Sequence, residues 1–142
     1  MPNIVYSTDS TTLVLNGHVF TSFIVGDFIE VAPVGEASGR VNSSDGVSIT
    51  KRADYDVHDL TVRVQAYSED DIFLNSTLAG VMPTMFAGSL KQAFVANGVE
   101  SIDTWTFEGG SIITRPTKTI NNQEGNVQME YKIQFRFASR VI

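Results

Sequence analysis

From Val127 to Phe137 the chain alternates without a break. Val127, Met129, Tyr131, Ile133, Phe135 and Phe137 fall on one side, and Gln128, Glu130, Lys132, Gln134 and Arg136 on the other. Successive side chains of a strand leave on opposite faces, so this pattern demands a long β-strand with an apolar layer below and a wet or partner-facing layer above. Leu60, Val62, Val64 and Ala66 alternate in the same way with Thr61, Arg63, Gln65 and Tyr67. The polar positions of these two strands, Arg63, Gln65, Gln128, Glu130, Lys132, Gln134 and Arg136, are the candidates for that wet or partner-facing layer.

Other short strands are marked by their turns. Leu13–Leu15 and Val19–Val25 read as a hairpin joined at Asn16-Gly17, a dipeptide that tolerates positive φ. Phe28–Val31 continues after Gly26-Asp27. Ser101–Phe107 and Ser111–Ile120 read as a strand pair around Gly109-Gly110, with residues 121–126 as a turn before the last strand. Residues 82–96 are ambiguous, because Pro83 and Gly88 break any long element. Ser68 followed by Asp71 resembles a capping box, and the acidic run Glu69-Asp70-Asp71 suits the positive end of a helix dipole. One short helix is therefore expected over about residues 69–79, with Gly80 as its stop. Residues 33–59 are different in character, rich in Gly, Ser and Asp. They read as a long polar arm or loop with only Val47 and Ile49 hinting at a strand, and a connection of this length in a compact domain is usually functional. The expected fold is mainly β, an antiparallel sandwich or barrel spanning residues 1–142 as a single domain.

Composition removes several function classes. The formal net charge is −6 with no cysteine, which leaves neither the clustered cations that grip nucleic-acid phosphates nor a thiolate metal site. Met1-Pro2-Asn3-Ile4 has no basic region leading into an apolar run, so no secretion leader is expected there. The longest apolar stretches fall short of the roughly 20 residues that cross a bilayer as a helix, and no membrane partner is expected. No Gly-x-Ser-x-Gly elbow, phosphate-cradling loop or His-Glu-x-x-His helix occurs, and no catalytic residue or cofactor is assigned. His18, just after the hairpin turn, reads as a surface residue. Asp54, Asp56 and His58 are the weak candidates for a metal site, since alternating positions would project them to one side of a strand. The run lacks the glycine and distal Glu of a calcium loop, so a solvated or interface loop is the simpler reading. Trp105 reads as a side chain packed on the sheet. Arg63, Lys132 and Arg136 are either solvated or paired with carboxylates of a neighbouring subunit.

The polar arm, the run from Gly46 through Asp54-Tyr55-Asp56-Val57-His58-Asp59 to Val64, and then Ser68-Glu69-Asp70-Asp71 with a short helix resemble a tail tube protein of contractile-tailed bacteriophages. The resemblance implies a structural protein without catalytic residues, assembled as hexameric rings that stack into the inner tube of the tail. It implies tail sheath, baseplate and tail terminator proteins as partners, passage of viral DNA without specific binding, and residence in the virion tail after assembly in the host cytoplasm. Within it, Asp45, Lys51, Arg52, Asp54 and Asp56 of the arm are the subunit-interface candidates. Three physical points agree. Ring closure removes exposed strand edges, two heterologous contacts turn one subunit into a tube, and an acidic wall repels DNA phosphates. Two rival readings stay open at this level: a small-ligand barrel lined by Trp105 and Phe107, and an enzyme built on Asp54 and Asp56.

Overall fold

The alternating segment near the end of the chain is a strand, Asn126–Val141, and it lies at the middle of the sheet. The computed structural model describes residues 3–24, 28–34, 38–42, 46, 48–52, 57–80, 82–121 and 126–142. Among these, the elements run β1 (Ile4–Leu15), β2 (His18–Val19), β3 (Ile29–Pro33), β4 (Ser38–Asn42), β5 (Ser48–Arg52), β6 (His58–Gln65), α1 (Glu69–Ser76), β7 (Phe86–Ala96), β8 (Val99–Asn121) and β9 (Asn126–Val141). Seven strands form one antiparallel sheet in the order β2-β1-β7-β8-β9-β6-β3, while β4 and β5 pair with each other alone.

β2 and β3 stand at opposite edges of that sheet although they are neighbours in sequence. Phe20 N donates to Leu13 O of β1 at 3.0 Å, and Gln65 N of β6 donates to Ser22 O at 2.9 Å. Ile24 N reaches Arg63 O at 3.4 Å, and Arg63 N reaches Phe28 O at 2.8 Å. Residues 20–24 are thus shared between the two edges and close the sheet into a barrel. Leu13, Leu15, Leu60, Val62, Val64, Phe107, Tyr131, Ile133 and Phe135 fill it, and Leu74 of α1 covers one end.

One carboxylate fixes this closure. Asp70, in the first turn of α1, is fully buried, and it accepts hydrogen bonds from Thr21 N at 2.9 Å and Ser22 N at 2.6 Å. His18 Nε2 lies 2.7 Å from its other oxygen, and the His18 ring stacks on Phe73 of the same helix at 4.3 Å. His18 is therefore a half-buried residue tied to the barrel closure rather than a freely solvated one. The carboxylate is tolerable in the core because every bond it would make to water is replaced.

Other expectations are corrected as well. Gly109-Gly110 does not turn the chain: β8 runs through it, pairing with β7 over its first half and with β9 from Thr104 onward. Gly110 is needed for space, since a Cβ there would overlap the Phe135 ring, and Gly109 adopts a φ of +66°. The buried face of β9 changes phase at the same level, so that Phe137 is 45% exposed and Ala138 takes the inward position. β8 makes the matching step between Phe107 and Gly110, and the ladder stays in register. Residues 86–96 form a full strand in which Gly88 permits close approach to the Val14 carbonyl. Pairing after the first hairpin stops at Val19 rather than Val25, leaving Phe23 as an isolated bridge to Val64.

The helix is capped as expected, with Ser68 Oγ accepting from Asp71 N at 3.3 Å. It ends earlier, at Ser76, because Ser76 Oγ and Thr77 Oγ1 donate to the Phe73 and Leu74 carbonyls at 2.7 and 2.6 Å. The polar arm, finally, carries a two-stranded hairpin of its own, β4 and β5, rather than an open loop.

Replacing Gly110 by Ala should destabilise the domain by about 1–3 kcal/mol through overpacking, and trimming the ring with Phe135→Leu in the same chain should recover part of that loss in urea unfolding. Asp70→Asn should cost about 3 kcal/mol by leaving buried donors badly matched, with a lowered denaturation midpoint as the readout.

Candidate assembly surfaces

The expected polar face exists, and it spans three strands. Register places Arg63 beside Glu130 and Glu130 beside Thr117, Gln65 beside Gln128 and Gln128 beside Thr119. Lys132 lies between Thr61 and Thr114, and Gln134 between Asp59 and Ser111. All of these alternate with the inward side chains of β6 and β9, so they share the other face of the sheet, where Thr61 is itself buried. Arg136 follows at the phase change, with its guanidinium carbon 5.4 Å from the Phe137 ring centre. Arg63 Nη2 lies 3.4 Å from Glu130 Oε1, and Gln134 Nε2 donates to Asp59 Oδ1 at 3.1 Å. Arg63 thus finds its carboxylate within its own chain, a pair worth at most about 1 kcal/mol at this exposure. With Arg63, Lys132 and Arg136 set against Asp59 and Glu130, this face is not the acidic part of the molecule.

The interface candidates divide. Lys51 and Arg52 lie in β5, opposite Gly39 and Ser38. Asp45, Asp54 and Asp56 fall outside the described residues. His58 opens β6 opposite Phe135, and its ring meets Trp105 edge-on at 5.6 Å. Among the described residues no group of three His, Asp or Glu side chains is placed to hold a metal ion.

Trp105 packs where the barrel opens. It stacks on Phe107 at 6.3 Å and lies 5.9 Å from the guanidinium of Arg140, which makes a two-pronged bond to Asp103 at 2.9 Å on each arm. Asp103 accordingly raises the pKa of Arg140, by hydrogen bonding first and charge second. Thr11, Phe28, Ile29, Leu90 and Gln92 complete the rim of a cavity of about 250 Å³. Ligand pockets run from roughly 300 to 1,000 Å³, and beneath this smaller mouth Phe107 and Phe135 stack 4.8 Å apart.

At the opposite end lies α1. Its first-turn carboxylates serve the fold: Asp70 holds the barrel closure, and Asp71 accepts from Tyr67 N at 2.8 Å and from the Tyr131 hydroxyl at 2.6 Å. Tyr67 sits at φ +67° and receives a hydrogen bond from Lys118 Nζ at 2.7 Å. Neither the Asp70 nor the Tyr131 contact was visible in the spacing of residues, since their partners are distant in sequence. Around the helix, Ile72, Met82, Met85 and Ile113 are exposed, Met82 by 78%.

Burial, and then the hydrogen bond and charge of Asp71, raise the pKa of Tyr131 well above its ordinary 10.0. Below pH 10 the folded and unfolded chains both keep this proton. Above it the unfolded chain releases the proton first, so stability falls as pH rises toward the folded value. Between about pH 8 and about pH 11, the urea midpoint of the parent should therefore fall more than that of Tyr131→Phe.

No protein-family model and no curated protein matches the chain. Among solved structures, Hcp1 from Flavobacterium johnsoniae is similar over 92% of this chain and 93% of that one, with a TM-score of 0.49 and 13% sequence identity.

Proposed function

We propose that this chain is a self-assembling structural protein whose copies close into rings, and whose rings stack into a tube. The observation that carries the reading is that its two ends are unlike and both unfinished. β6 runs from the root of the arm at His58 to Gln65 beside α1, a span of roughly 25 Å at about 3.3 Å per residue. One end presents the isolated β4–β5 hairpin and the open mouth, and the other presents the exposed apolar side chains around α1. Two different surfaces on one subunit make heterologous contacts, which close into rings or run on as filaments. The exposed apolar group is of the kind that marks an interaction site.

The resemblance of the region from Gly46 to the helix supports the finer reading: hexameric rings forming the inner tube of a contractile phage tail, with sheath, baseplate and terminator proteins as neighbours and DNA passing through. The outer polar face of β6, β8 and β9 supplies a hydroxyl- and amide-rich wall for such a channel. In negative-stain images the concentrated protein should show rings or filaments, and lone particles at all concentrations would refute the proposal. Met82→Glu with Met85→Glu should leave the melting curve within about 1 kcal/mol of the parent, as surface changes do, while sedimentation shows shortened assemblies or single rings.

A further inference from the structure

Two hairpins of the sheet turn on the same dipeptide. Asn16-Gly17 joins β1 to β2, and Asn97-Gly98 joins β7 to β8. Their backbones are nearly identical: φ is +49° and +81° in the first turn, and +51° and +80° in the second. Positive φ at both central residues is the geometry that two-residue hairpins favour, and Asn-Gly adopts it readily. All four residues are exposed, and a Cβ on either glycine would meet nothing within 4 Å. Neither Gly17 N nor Gly98 N donates a backbone hydrogen bond among the described residues.

An asparagine followed by glycine carries both reactants of a hydrolytic reaction, which makes asparagine a thermolabile residue. The glycine nitrogen attacks the side-chain carbonyl carbon Cγ and a C–N bond forms. The bond from Cγ to Nδ2 breaks, and ammonia leaves carrying the proton that the glycine nitrogen gave up. Water then opens the five-membered imide at one of its two carbonyls, giving aspartate or isoaspartate. Glycine favours the attack because no side chain crowds its nitrogen and its backbone turns freely. What separates the two sites is how each amide is held. Asn16 N donates to Ala87 O at 2.8 Å, its Oδ1 accepts from Ala87 N at 2.9 Å, and its Nδ2 donates to Met85 O at 3.1 Å. Asn97 N donates to Asn3 O at 2.8 Å and its Oδ1 accepts from Asn3 N at 3.1 Å, but its Nδ2 has no partner among the described residues. The departing nitrogen is restrained at Asn16 and unrestrained at Asn97.

We propose that Asn97 is a site of spontaneous deamidation, and that Asn16, in the same kind of turn, is spared by the hydrogen bond from its Nδ2. Opening of the imide toward isoaspartate adds one carbon to the backbone of a two-residue turn, and the paired contact of residue 97 with Asn3 does not accommodate it. Opening toward aspartate places a new charge three residues from Glu100. Both products change the end of the sheet at which Ile4, Val5, Val99 and Ile102 are exposed, and the isoaspartate loosens the start of β1, whose residues Ile4, Val5 and Tyr6 pair with Ala96, Val95 and Phe94 just before the turn.

The two turns serve as each other's control. The full chain is incubated folded in mildly alkaline buffer at body temperature, and conversion of the peptides containing residues 16 and 97 is followed by mass spectrometry. Asn97 should convert roughly fivefold faster than Asn16, the factor that one further hydrogen bond of about 1 kcal/mol supplies. In guanidinium chloride, where neither amide is held, the difference should vanish. Equal conversion in the folded chain, or faster conversion at Asn16, overturns the proposal. A difference that persists unchanged after unfolding overturns it as well, because the neighbours in sequence and not the held amide would then set the rates. In aged chains carrying isoaspartate at position 97, amide exchange over Ile4–Tyr6 should quicken relative to the fresh chain, and unchanged protection there overturns the loosening of β1.

Discussion

Completion of backbone hydrogen bonds is the constraint on which the rest of this structure depends. A sheet of seven strands must end somewhere, and each end leaves N–H and C=O groups without partners. The chain solves part of the problem internally. Residues 20–24 bond to β1 on one side and β6 on the other, and Asp70 holds that segment through two backbone N–H groups while His18 occupies its remaining oxygen. Closure therefore depends on one buried carboxylate placed by the N-terminus of a short helix. At the other end of the barrel closure stops, and among the described residues β1 before Val14, β3 and the β4–β5 hairpin each keep an edge without a strand partner.

The parts of the fold that were legible in the sequence are those whose partners are provided by local periodicity. β6 and the centre of β9 read directly, because one face of each is buried over its whole length, and the capping of α1 by Ser68 involves residues three apart. What was not legible depends on space or on distance along the chain. A glycine that makes a turn and a glycine that makes room look alike in sequence, so Gly109-Gly110 reads as a hairpin until Phe135 is seen occupying the volume a Cβ would need. β7 hides because its residues Leu90 and Gln92 line the half-open mouth, where burial is incomplete and apolar alternation is not required. The strands of the arm hide for a related reason: with no core beneath them, Ser38-Gly39-Arg40-Val41-Asn42 has no face to keep apolar. Asp70 reads as one of three helix-capping acids, and nothing local distinguishes the one that is buried.

The polar surface candidates are placed together for the same physical reason. Arg63, Gln65, Gln128, Glu130, Lys132 and Gln134 are tied to strands whose period is fixed, so placing one places all of them on a common face. Of the Asp54, Asp56 and His58 grouping, the two aspartates lie outside the described residues and His58 opens β6. The histidine is instead engaged with Trp105 at the mouth.

The distribution of charge changes what the acidity of the chain means. Read from composition alone, a net −6 suits a channel that repels phosphates. The outer face of β6, β8 and β9 does not carry that charge, since its cations outnumber its carboxylates and three of its charged groups, Arg63, Glu130 and Asp59, are bonded within the face. Binding of a polyanion grows with the number of phosphates a surface neutralises. On this face Arg63 is held by Glu130, which leaves Lys132 and Arg136 as its cations without a carboxylate partner among the described residues. The excess negative charge of the chain lies away from these three strands, so the acidity of the composition is not the acidity of this face.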